Sequence, residues 1–156
     1  MKKFNLVSLM ALLLILVTLS SLGILDFGQL FQADSDGKAI MAEGRYSAPE
    51  DVALYIHTFG KLPANFITKE EAEKLGWKSE EGNLWEVTDQ LSIGGDIFHN
   101  REGLLPDAEG RTWYECDVNY NGSYRGPERI VFSDDGLIYY TNDHYATFTK
   151  LYGGKR

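Results

Sequence analysis

Glu115, Asp117, Arg125, Arg129 and His144 are the residues of this chain whose types suit acid–base chemistry at a phosphate ester. A carboxylate can take a proton, arginines can neutralise a phosphoryl group, and a histidine can give a proton to a leaving oxygen. Two of the five lie in the stretch from Arg111 to Tyr120, which alternates with period two and so predicts a central strand. Tyr114, Cys116, Val118 and Tyr120 would point to one face, and Trp113, Glu115, Asp117 and Asn119 to the other. Two acids in register on one face need cations to offset them, and Arg125 and Arg129 follow within a few residues. On this reading Glu115 is the base and His144 the acid.

Other chemistries find less support. His57, His99 and His144 are scattered, and no His-x-x-x-His or Cys-x-x-Cys spacing suggests a metal site. There is no Gly-x-Ser-x-Gly elbow for a serine nucleophile and no phosphate-cradling P-loop. The one cysteine, Cys116, cannot form an intrachain disulfide; on the strand face opposite Glu115 it reads as a small buried hydrophobe. Taken singly, Glu115 reads sooner as a solvated sheet acid and His144 as a surface histidine than as catalysts.

The elements that must position these residues are helices first and strands second. Ser47-Ala-Pro-Glu50 predicts a capping box, followed by Val52, Tyr55, Ile56 and Phe59 on one helical face; Gly60 and Pro63 end that helix. Thr68-Lys-Glu-Glu71 repeats the capping signature and Gly76 closes it. Lys69 then occupies a first helical turn, where a cation opposes the helix dipole, which suggests that it is kept there for another purpose. A third helical piece is expected from Leu84 to Val87. Strands are expected at Ser92–Phe98, Arg111–Tyr120, Arg129–Ser133, Leu137–Thr141 and Tyr145–Leu151, with a tight hairpin at Asp134-Asp-Gly136. The predicted fold is α+β: N-terminal helices packed on one face of a five-stranded antiparallel meander, with the other face free to carry a site.

In this order the residues carry a resemblance. Lys61-Leu-Pro, Asn65-Phe-Ile-Thr-Lys69, Leu75-Gly-Trp77, Gly82-Asn-Leu84, Ser92-Ile-Gly-Gly-Asp-Ile-Phe98, Asn100-Arg-Glu-Gly103, Gly110-Arg-Thr-Trp113, Asp143-His-Tyr145 and Thr147-Phe-Thr-Lys150 follow one another without evident insertion. From about Tyr46 to Leu151 the chain resembles the barnase-type microbial guanyl-preferring ribonucleases. The resemblance implies the microbial ribonuclease fold and cleavage of single-stranded RNA after guanosine through a 2′,3′-cyclic phosphate, with no cofactor. It implies Glu115 as general base and His144 as general acid. It assigns Lys69, Arg125 and Arg129 to the phosphate and Phe98, His99, Asn100, Arg101, Glu102 and Tyr145 to the guanine. By the same resemblance Asp96 pairs near Lys69, Asp117 braces the arginines, and Asn100 shapes its loop in left-handed backbone. His99 departs from the pattern, standing where such ribonucleases often carry Ser. A monomer is implied, together with an acidic intracellular inhibitor of the barstar type as partner.

Composition places limits on this. The formal charge is −8 over 156 residues, so the overall field does not draw in a polyanion. Any RNA contact must rest on a local cluster, and four of the six arginines lie between positions 101 and 129. Residues 1–23, with Lys2 and Lys3 ahead of an apolar run, read as a secretory signal peptide or an uncleaved anchor that exports the body. Residues 24–45 read as a linker or propeptide, 46–151 as the ribonuclease domain and 152–156 as a tail. The rival readings are a module that binds RNA or another polyanion without cutting it, and an antagonistic toxin with the same chemistry.

Overall fold

The computed structural model describes residues 31–33 and 39–153. The chain divides into two units, residues 1–41 and 42–156. Strands β1 (Phe31–Ala33) and β2 (Ala39–Met41) pair antiparallel in the first unit, within the stretch whose sequence predicts a linker or propeptide and no strand. The proposed leader lies outside the described residues.

Helix α1 (Pro49–Phe59) opens the second unit. Its N-cap is Ala48, which makes no side-chain capping bond, so the capping box expected at Ser47 does not form. Pro49 decides this: its fixed φ and missing N–H suit the first helical position, which makes its predecessor the cap. The Ser47 carbonyl instead accepts the N–H of Asn119 at 2.8 Å. Gly60 ends the helix in left-handed backbone, as expected. In α2 (Lys69–Lys74) the predicted capping box is complete, with Thr68 and Glu71 each bonding the other's backbone N–H. Helix α3 spans Leu84–Val87.

Six strands form the sheet in the order β3 (Phe66–Ile67), β4 (Ser92–Ile97), β5 (Trp113–Asp117), β6 (Arg129–Ser133), β7 (Ile138–Thr141) and β8 (Thr149–Tyr152). Strands β4 to β8 are the expected antiparallel meander. The correction is β3, which adds a sixth strand parallel to β4. Two residues are too few to show any alternation in sequence. Strand β8 runs through Tyr152, so the sheet extends one residue into the stretch expected as tail.

Helix α1 covers one sheet face, where Val52, Ala53 and Ile56 pack with Cys116, Val118, Ile130, Phe132 and Ile138. A second cluster joins α2 and α3 to the sheet through Ala72, Leu84 and Ile93. The opposite face is not wholly free, as had been expected. Leu105, Trp113, Val131 and Leu137 form a third cluster there, with Phe98, Tyr139, Tyr145 and Phe148 against it. That cluster is the floor from which the candidate site rises.

Candidate active site

Strand β5 delivers Glu115 and Asp117 to the same face, and Cys116 to the helix-covered core between them. A bulge in β4 completes the arrangement. Gly94 lies opposite Cys116 while Asp96 lies opposite Glu115, so the register shifts by one residue between them. The extra residue, Gly95, takes φ 98°. Two residues apart in a regular strand, Gly94 and Asp96 would share a face; the bulge re-aims Asp96 toward Glu115. Gly94 itself admits no side chain, because a Cβ there would come within 2.5 Å of the Cys116 Cβ.

Glu115 is 7 % exposed. Lys69 Nζ lies 2.6 Å from one carboxylate oxygen, and the Tyr145 hydroxyl donates to the other. Burial pushes this carboxyl up, but the bonds from Lys69 and Tyr145 and the charges of Lys69 and Arg125 outweigh it, and the group lies below its ordinary value. The Tyr145 hydroxyl is moved the other way: burial and the adjacent Glu115 hold its proton on. Lys69 in the first turn of α2 now has its explanation. Its ammonium serves Glu115, and its backbone N–H donates to Asp96, 3.1 Å away, so an anion meets the helix N-terminus.

Asp117 braces both arginines. Arg125 forks onto it with two bonds of 2.7 Å. Arg129 Nε lies 2.9 Å from its Oδ1 as an ion pair, without hydrogen-bond alignment. Burial opposes the Arg125 charge, but the bonds to Asp117 hold its pKa above the usual value. Arg129 also stands 5.9 Å from the centre of the Tyr145 ring. Arg125, Arg129 and His144 line one cleft of about 470 Å³ together with Ser79, Tyr124, Gly126 and Pro127. A larger cavity of about 800 Å³ lies on the other side of the sheet, lined by Ile56, Tyr114 and Phe132, and contains none of these residues.

His144 lies on the exposed turn between β7 and β8, with φ 55°, and Tyr145 follows at φ 73°. The segment from Asn142 to Phe148 is therefore a loop; the strand expected from Tyr145 starts only at Thr149. The Tyr145 ring stacks on Phe98 at 5.3 Å between centroids. Phe98 thereby joins the candidate guanine loop to the carboxylate site. Asn100 takes φ 44° and bonds the backbone of Leu105 through both ends of its amide, at 2.8 and 3.0 Å, the loop-shaping role expected of it. His99, Arg101 and Glu102 stand exposed on the same loop.

A family model described as ribonuclease matches residues 50–152. The chain belongs to the ribonuclease family. It is 54 % identical over 102 residues to a ribonuclease of Bacillus intermedius, a match covering 65 % of this chain and 63 % of that protein. The chain thus spans less than two thirds of that relative's length. A ribonuclease of Heyndrickxia coagulans is 53 % identical over 102 residues, covering 65 % of this chain and 94 % of its own. The guanyl-specific ribonuclease St of Saccharopolyspora erythraea is 44 % identical over 55 residues, covering 35 % of this chain and 54 % of its own.

Within this family fold, Lys69, Glu115, Tyr145, Arg125, Arg129 and His144 are drawn from four separate stretches of chain into one neighbourhood. Sequence reading missed the cleft wall: Ser79, Tyr124, Gly126 and Pro127 carry no periodic or charge signal. The 66 % exposure of a tyrosine next to Arg125 is visible only in three dimensions.

Proposed function

We propose that the domain is a guanyl-preferring endoribonuclease that cleaves single-stranded RNA through a 2′,3′-cyclic phosphate. The observation that supports this most is one cleft that holds a braced pair of arginines and an exposed histidine, with the buried Glu115 carboxylate tied to it through Tyr145, which bonds Glu115 and packs beside Arg129 and His144. Glu115 takes the proton of the ribose 2′-OH as that oxygen attacks phosphorus. Lys69, Arg125 and Arg129 neutralise the nonbridging oxygens, which gain charge in the transition state. His144 gives a proton to the departing 5′-oxygen. The cyclic product is then opened by water with the two roles exchanged. The 2′-OH is the nucleophile, so RNA is cut and DNA is not.

The loop Phe98–Glu102 together with Tyr145 takes the guanine. Backbone N–H groups suit its O6, and the Glu102 carboxylate suits N1–H and the exocyclic amine. The name of the Saccharopolyspora relative, a guanyl-specific ribonuclease, supports this preference. We further assign residues 1–23 to a leader or anchor for export, 24–45 to a linker or propeptide and 46–152, through the end of strand β8, to the catalytic domain, acting as a monomer. By the same resemblance, an acidic protein inhibitor of the barstar type is the implied partner.

The test is to incubate the purified chain with RNA in excess chelator and map the ends. Products ending in guanosine 2′,3′-cyclic phosphate are expected, with activity retained, since the chain offers no ligand spacing for a metal. Binding without cyclic product would favour a binding module instead. In the same assay Glu102→Gln should lose selectivity rather than cleavage, by up to roughly 10⁴-fold, because an amide sets a donor against a donor. Undiminished selectivity would move the guanine site elsewhere.

A further inference from the structure

Asp143 is exposed, and the acid–base scheme gives it no task. Its carboxylate is nonetheless the hub of the turn that carries His144. One oxygen accepts from the Thr141 hydroxyl at 2.8 Å and the Thr147 N–H at 2.9 Å; the other accepts from the Thr147 hydroxyl at 2.6 Å. A carboxylate can only accept, so it fixes the direction of these bonds. The Thr141 hydroxyl, having given its hydrogen to Asp143, is left as an acceptor for the Tyr145 N–H at 3.1 Å. Bonds from the Thr147 side chain and backbone, then from Thr141, hold the Asp143 carboxyl down to about 2. It therefore stays ionised at neutral pH.

Inside this ring of bonds lie two consecutive non-glycine residues in left-handed backbone, His144 and Tyr145. Such a pair persists only where its surroundings over-determine it. The two differ in how far they depend on the turn. Tyr145 is also held through its side chain, by Glu115, Phe98 and Arg129. His144 is exposed; its N–H donates to the Pro127 carbonyl at 3.3 Å, and its ring tilts against Tyr145 at 4.8 Å. Loosening the turn therefore falls first on His144.

We propose that Asp143 is a positioning residue, which locks residues 141–147 so that the His144 imidazole stays in the cleft beside Arg125 and Arg129. The proposal rests on reading His144 as the general acid. It predicts a defect that depends on how much the leaving group needs a proton.

The experiment measures kcat and KM for Asp143→Asn on two substrates with the same guanosine. One is a guanosine–adenosine dinucleotide, whose alkoxide leaving group needs protonation; the other is guanosine 3′-(4-nitrophenyl phosphate), whose phenolate does not. On the dinucleotide, kcat should fall by roughly 10- to 100-fold, the scale of a misplaced catalytic group. The nitrophenyl ester and both KM values should change little. Equal losses on the two substrates, or no loss on either, overturn the proposal. Thr147→Val removes the donor to one Asp143 oxygen and should show the same leaving-group dependence more weakly, with Thr147→Ser restoring the rate. That pair decides the matter if Asp143→Asn does not fold. A wild-type protein that leaves the dinucleotide uncut would instead sink the reading of the site.

Discussion

Glu115 sits within a five-residue strand, buried, with both carboxylate oxygens engaged by side chains from distant parts of the chain. His144 sits on an exposed turn whose bonds are mostly local, to Thr141, Asp143 and Thr147. Under the proposed acid–base scheme, the difference matches what each group would have to do. A base has to be ionised and aimed before substrate arrives, and a buried strand with fixed cations provides that preorganisation. An acid has to be reloaded with a proton after each turnover, which favours a place in contact with water. The site thus couples a residue held by tertiary packing to one held by a short segment.

The largest expected effect comes from removing one side of this pair. His144→Ala should lower kcat/KM on a dinucleotide by about 10²- to 10⁴-fold, the usual contribution of a general acid. The basic limb of its pH profile should vanish. Glu115→Ala should lose less, because the phosphate site and the acid survive. A basic limb unchanged in His144→Ala would show that some other group is the acid.

Tyr145→Phe tests the bond to Glu115 while keeping the ring that packs on Phe98. It removes a hydrogen bond that favours ionised Glu115, so the carboxyl rises and the acidic limb of kcat/KM moves to higher pH. In the wild type that limb should lie below the ordinary glutamate value of about 4.3. The rate at the optimum should fall by roughly 10- to 100-fold, the worth of one bond to a charged group. An acidic limb that stays in place would mean that Glu115 does not set it.

The smallest effect belongs to the core beneath the strand. Cys116→Ala should leave turnover intact and lower stability by about 1–2 kcal/mol, as a small truncation in a packed cluster. Urea unfolding alongside the dinucleotide assay reads both. A loss of turnover at preserved stability would contradict its placement away from the chemistry.

The Thr68 capping box, the Gly60 stop, the turn at Asp134–Gly136 and β6 were legible because each is fixed by neighbours in sequence. The alternation of β5 placed Glu115 and Asp117 opposite Cys116 correctly. What could not be read was set by contacts across the chain. The bulge at Gly95 exists only relative to β5, and so does the turning of Asp96 toward Glu115. The Ser47 cap gave way to the phase imposed by Pro49. Strand β5 ends at Asp117 rather than running on to Tyr120, because Asn119 takes φ 53° and donates to Ser47. The ring of bonds around Asp143 uses residues whose types are common in any loop, so its role emerges only from its geometry.

The burial of Cys116 makes the molecule its own stopwatch. The chain has a single thiol, 1 % exposed, and burial pushes its pKa well above the ordinary value, with Asp117 adding to the shift. The thiolate is the reactive form, so a disulfide reagent finds almost none of it in the folded state. Labelling must wait until the sheet parts from helix α1. The rate at which colour develops with an excess of such a reagent would then count opening events one molecule at a time, without a probe having been engineered in.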